Sequence, residues 1–191
     1  ERVTENERGK ARRLHGLQLW VALPPALQAM DPGFQHVAAV DLPELAPADG
    51  VQLRVLVGDA LGARSPVLTQ SPTLYLHVQL AAGAAWTLPA LAAEMAIYSP
   101  EHAFFMDDQS VPAQQMVVLR PDAATRLRAG PTGLRLVVIG GTPLQQPVRM
   151  WWNFVATDRS RIADAARLWA EDGFAPIPGE STRIVAPPWR D

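Results

Sequence analysis

Apolar residues alternate with polar ones in segment after segment of this chain, and proline or glycine stands between the segments. Residues 51–57 place Val51, Leu53, Val55 and Val57 on one side. Residues 74–80 set Leu74, Leu76, Val78 and Leu80 against Tyr75, His77 and Gln79. A two-residue period marks a β-strand with one buried face. Further candidate strands cover 86–88, 94–98, 103–106, 115–119, 125–129 and 134–139. Turn signals separate them: Asp31-Pro32-Gly33, the run GDALG at 58–62, Ala81-Ala82-Gly83, the pair Gly130 and Gly133, and Gly140-Gly141. Short strands spaced by roughly 8–12 residues build a sandwich or barrel, and 18 prolines with 13 glycines disfavour long helices.

Residues 14–24, LHGLQLWVALP, alternate as well. Leu17, Leu19, Val21 and Leu23 share one face, with Gln18, Trp20 and Ala22 on the other. A strand is expected there, ended by Pro24-Pro25 because proline has no N–H to give to a ladder. The polar stretch 1–13 before it has no apolar period. The stretch 14–24 is therefore expected to be a hinge between a piece of one β-domain and the whole of another. One helix is expected near the C-terminus. Asp158 or Ser160 caps it, Ile162, Ala165, Ala166 and Trp169 form its apolar stripe, and Gly173 stops it. The stripe is expected to pack the helix on the barrel. Residues 175–191 carry Pro176, Pro178, Pro187 and Pro188 and read as an extended tail laid on the surface.

Composition narrows the chemistry. The 191 residues are 48% hydrophobic, enough for a sizeable core of one domain, or one domain plus a fragment. Net charge is −2, so bulk electrostatics attracts neither nucleic acid nor an anionic membrane. The absence of cysteine removes disulfides, thiolate zinc sites, iron–sulfur ligation and a cysteine nucleophile, and fits a cytoplasmic protein. No apolar run approaches the roughly 18 residues of a membrane-spanning helix. The start ERVTENERGKARR is no secretory signal and has no methionine, and we expect a piece of a longer protein.

Candidate chemical residues are sparse. The four histidines, His15, His36, His77 and His102, show no HxH or HxxxH spacing. His77 is expected at a sheet face and His102 in a solvated loop. No serine stands in GxSxG, and Gly140-Gly141 lacks the rest of a nucleotide-binding fingerprint. Asp107-Asp108 is expected at a hairpin tip rather than as a catalytic pair. Trp151-Trp152 is expected as a core or interface anchor. No complete active site is visible in these residues.

The segments LHGLQLWVALP, GDALGARSP, SPTLYLHVQLAAGA, LRLVVIGGTPLQQPV and WWNFV, in this order and spacing, resemble pirins. The resemblance covers nearly the whole chain. It implies an all-β fold: pirins are bicupins, two antiparallel jelly-roll β-barrels in one chain. It implies three parts here: 1–24 as a remnant of, and linker from, the N-terminal cupin, 25–157 as the C-terminal cupin barrel, and 158–191 as a C-terminal helix and proline-rich tail. In the family the N-terminal barrel holds iron through three histidines and a glutamate, and the C-terminal barrel usually holds no metal. A family motif GxGxxHSE precedes LHGLQLW, and its spacing would place Glu1 on the glutamate ligand, with the three histidines upstream of this chain. In the C-terminal barrel itself, Leu88, Pro89 and Ala90 stand where imidazoles would be needed, and only Glu94 stands in a ligand-like place. A lone carboxylate in an apolar barrel is costly, so Glu94 is expected to turn outward or to be hydrogen-bonded.

The resemblance implies two functions. Some pirins are similar to quercetin 2,3-dioxygenases, which use iron and dioxygen to open a flavonol ring. Others are iron-dependent protein-binding regulators, including of transcription. Expected partners are a flavonol-like small molecule bound with the N-terminal cupin or a protein, with neither membrane nor direct nucleic-acid binding. Iron is expected in the full-length protein and no cofactor on this chain alone. A purely structural half is a third reading.

Overall fold

The structure, a computed structural model, describes residues 9–11, 13, 15–179 and 182–189. Fourteen strands follow one another among them: β1 Glu44–Ala48, β2 Val51–Val57, β3 Asp59–Ala60, β4 Ala63–Arg64, β5 Thr73–Leu80, β6 Ala85–Leu88, β7 Glu94–Tyr98, β8 Phe104–Met106, β9 Gln109–Val111, β10 Met116–Val118, β11 Thr125–Ala129, β12 Leu134–Gly141, β13 Arg149–Trp151 and β14 Phe154–Ala156. One α-helix, α1, spans Arg159–Ala170. A six-stranded sheet in the order β1-β2-β5-β12-β7-β10 faces a four-stranded sheet in the order β6-β11-β8-β9. The ladders are antiparallel, as expected of a cupin-type all-β barrel.

The alternation read from the sequence decides which face goes inside. In β5, Leu74, Leu76, Val78 and Leu80 are buried while Tyr75, His77 and Gln79 stay half-exposed. The inner faces of the two sheets meet in one apolar cluster, with Leu53, Leu76, Ile97 and Leu136 from the large sheet against Leu88, Phe104 and Leu127 from the small one. Truncating such a side chain to alanine costs about 2–5 kcal/mol, so this interior holds the barrel shut. The wall is closed by hydrogen bonds as well. Ser99 is fully buried, its Oγ 2.7 Å from the His102 carbonyl and 3.0 Å from that of Arg135.

Turns obey local sterics. Asp107 and Asp108 join β8 to β9 with φ of 47° and 64°, the left-handed pair of a type I′ hairpin that short acidic side chains tolerate. Asp107 Oδ1 also accepts the Arg126 N–H at 2.9 Å. The run 58–62 folds into the small hairpin β3–β4. At Gly58, φ is 85° and a Cβ would stand 2.1 Å from the Thr73 carbonyl oxygen, so no other residue fits.

Helix α1 begins at Asp158, whose side chain accepts the Ser160 N–H at 2.8 Å. That bond holds the carboxyl below its ordinary value. Ile162 and Ala166 are buried. The helix does not dock on the barrel core as expected. It packs on the β13–β14 hairpin, and Trp169 is half-buried there among Trp152, Phe154 and Phe174, with ring centroids 5.0, 6.4 and 6.0 Å away. Trp151 and Trp152 belong to the same cluster as anchors of this hairpin. Gln28 ties the linker to this module: its Oε1 accepts the Thr157 N–H at 3.2 Å, and its carbonyl accepts from Arg161 at 3.0 Å.

The strand expected over 14–24 is absent among the described residues. The backbone from 15 to 24 joins no sheet ladder among the described residues, and Leu17, Leu19, Trp20 and Val21 are exposed. Alternation specifies two faces but supplies no neighbouring ladder, and none of the described residues offers one.

Candidate functional site

The inside of a cupin barrel is where metal ligands would converge. Here that volume is occupied. Leu88 is 1% exposed, Leu127 0% and Phe104 1%, and they meet the aliphatic face of the large sheet, with Thr125 buried on the same face of β11 as Leu127. Pro89 and Ala90 follow on the rim, and Glu94 opens β7 with its side chain exposed, turned outward as expected. Among the described residues no three His, Asp or Glu side chains come together as a metal site. The described residues therefore do not fit iron. Glu1, the expected metal ligand, lies outside the described residues.

The polar and open features lie instead on the outer face of the six-stranded sheet. His77 sits in β5 opposite Arg54 of β2 and Val137 of β12. Together with His15, Tyr75, Gln79 and Arg135 it lines a recess of about 360 Å³. Burial, and then the nearby Arg135 and Arg54 guanidinium groups, hold its imidazole below the usual histidine value. The neutral imidazole, able to donate and accept, is thus favoured over the cation at this sheet face. His102 departs from its expected solvated place. It is half-buried, and its Nδ1 is shielded with no hydrogen-bond partner among the described residues.

Beside that recess runs an open apolar groove of about 1110 Å³. Trp20 and Leu23 form one wall, Tyr75, Ala96 and Ile139 the floor, and Val118 the far edge. The sequence reading missed it. The signal was present in β12, where LRLVVI runs apolar on both faces: Val137 is buried although it points away from the core. A strand apolar on both faces has two surfaces to cover.

Residues 75–175 match the pirin C-terminal cupin domain. The chain belongs to the pirin family. A pirin-like protein of Caulobacter vibrioides is 32% identical over 173 residues, covering 87% of this chain and 59% of that protein. A putative quercetin 2,3-dioxygenase, PA1205, of Pseudomonas aeruginosa is 30% identical over 192 residues, covering 97% of this chain and 59% of that one. A crystal structure of a quercetin 2,3-dioxygenase from Acinetobacter baumannii superposes with a TM-score of 0.81 at 29% identity, over 90% of this chain and 58% of the other. This pirin thus spans little more than half the length of these relatives. The cupin fold and the kinship to quercetinase-like proteins agree with the sequence reading. No helix among the described residues is long and apolar enough to cross a membrane.

Proposed function

We propose that this pirin chain is the metal-free C-terminal part of an iron-dependent, quercetin 2,3-dioxygenase-like oxidoreductase of the cytoplasm. The single observation that carries the reading is the likeness to the putative quercetin 2,3-dioxygenase of Pseudomonas aeruginosa over 97% of this chain. The filled barrel interior supports its second half: a chain whose own cupin has no room for ligands leaves iron to the other cupin of the family. Glu1 is then the carboxylate ligand, joined by three upstream histidines, and a flavonol-like molecule binds in that upstream site. The apolar groove and the 15–24 segment, which joins no sheet among the described residues, supply the face on which the upstream barrel rests. Activity is tested in the protein extended upstream. We expect one iron per chain and ring-opening turnover with quercetin, and a loss of both in Glu1→Gln, because the amide keeps the shape and loses the charge. Iron content and turnover unchanged by Glu1→Gln would show that the metal is held by other groups.

A second reading has an observation of its own. Leu17, Leu19, Trp20 and Val21 are all exposed in one stretch, an arrangement that marks interaction surfaces. On this reading the chain docks a protein and is no part of an enzyme. Extended protein that loads iron but never turns over quercetin, while Trp20→Ala weakens capture of a protein partner, favours it.

A further inference from the structure

The tail is not simply laid on the surface. Segment 182–189 returns across α1 and the β13–β14 hairpin and is pinned at both ends. At its start, Arg183 Nη1 lies 2.7 Å from Asp172 Oδ1, and Trp169 Nε1 donates to the Ile184 carbonyl at 2.9 Å. At its end, Trp189 stands edge-on to Trp151, centroids 5.1 Å apart, with the Arg159 guanidinium 5.5 Å from its ring. Val185 is 85% exposed, and a cavity of about 510 Å³ remains over Ala166 and Ala170. The trough beneath is floored by small residues and walled by Trp151 and Trp169.

The occupant's chemistry is specific. Pro187 and Pro188 fix φ and offer no N–H, and each proline also drives the residue before it into extended backbone. With two adjacent prolines, one of them always faces a would-be partner strand without an N–H, so the segment pairs poorly with a sheet edge. It loses little entropy on docking, which is why aromatic-walled grooves recognise proline-rich segments. An indole N–H aimed at a backbone carbonyl supplies a contact independent of side chain. We propose that the trough between Trp151 and Trp169 is a docking site for a proline-rich segment with an upstream arginine and a downstream tryptophan, held closed by the chain's own residues 182–189. A protein partner presenting that pattern takes the place of the strap. The proposal is independent of any iron site.

The test uses pins that lie on the strap and not on the walls. Arg183→Ala with Trp189→Ala frees the trough in the whole chain and keeps its alanine floor and its Trp151 and Trp169 walls. The probe is a fluorescein-labelled peptide TRIVAPPW, the sequence of 182–189, followed by fluorescence anisotropy. A tethered competitor lowers apparent affinity by the fraction of time it occupies the site, so the double variant should bind the peptide at least about tenfold more tightly than the native chain. Adding Trp151→Ala, or replacing both prolines of the peptide by glycine, should lose most of that gain. No saturable binding to the folded double variant, or equal binding to native and variant chains, overturns the proposal. Should circular dichroism show the variant unfolded, the native chain decides. Millimolar peptide should then speed amide exchange in 182–189 alone, and unchanged exchange there overturns it equally. A dimer formed by exchange of 182–189 that shuts out the peptide also overturns it, in favour of a second copy.

Discussion

At the scale of single residues the barrel separates what packs from what titrates. Phe104 is 1% exposed and heads the fully buried side chains. Phe104→Ala should cost about 3–5 kcal/mol, seen as a lower urea midpoint at unchanged slope. His77 acts through charge. Its folded pKa is below the unfolded value because burial, Arg135 and Arg54 oppose a proton. The unfolded chain therefore binds the proton more readily. Stability from this group is complete above roughly pH 6.5 and falls as pH drops from there through the folded pKa. His77→Gln should flatten that acid slope in urea midpoints measured from pH 7.5 to 5. A slope identical in wild type and variant would assign it to other groups. That His77 lies at a sheet face was legible from its place between apolar strand-mates. Its burial was not, because the cover comes in part from His15 and Leu17, sixty residues away in sequence and outside any periodicity.

At the scale of elements, period and turn chemistry located the strands that have a polar side. β2 and β5 stand where alternation placed them, and β7 and β11 cover the candidate segments 94–98 and 125–129. Two other cases show what alternation lacks. β1 contains Pro47 and was not recognised, since an edge strand can carry a proline that a central strand cannot. Residues 15–24 alternate well yet pair with nothing described, because sidedness is a property of one segment and pairing is a property of two. The β13–β14 hairpin escaped notice for a different reason. Its strands are three residues each, and Trp152 between them takes φ of 49°, a conformation nothing in WWNF announces. Aromatic packing holds it there, so Trp169 supports the hairpin more than the barrel. Trp169→Ala should therefore cost about 2 kcal/mol, less than a fully buried tryptophan. The measured change in denaturation midpoint distinguishes this from the larger cost of a core position.

At the scale of the molecule the candidate site was legible only as an absence of ligands in 86–98. The physical reason emerges from packing: aliphatic side chains from two sheets fill the space that imidazoles would need. Folding of this chain should therefore be unlinked to metal. Dialysis against chelator should leave its urea midpoint where it was, since stabilisation by a ligand requires a site that the folded state alone possesses. A midpoint lowered by chelator and restored by iron would reveal a site outside the barrel interior. The outer-face groove could not be read from sequence as a groove, because its wall of Trp20 and Leu23 comes from a segment belonging to none of the sheets.

The distribution of indoles gives the molecule two separate optical signatures. Trp86 is 7% exposed within the barrel, so the blue edge of the emission should report that core, while Trp20, 53% exposed, emits further to the red. Trp151, Trp152, Trp169 and Trp189 form a chain of contacts with neighbouring centroids 5.0 to 6.2 Å apart. Rings that close couple their electronic transitions, and near-ultraviolet dichroism should carry a strong coupled signal from this cluster. Emission and dichroism can then be followed in the same denaturation. Coincident midpoints would mean that barrel and hairpin–helix module unfold as one cooperative unit, and an earlier dichroic transition would mean that the module opens first.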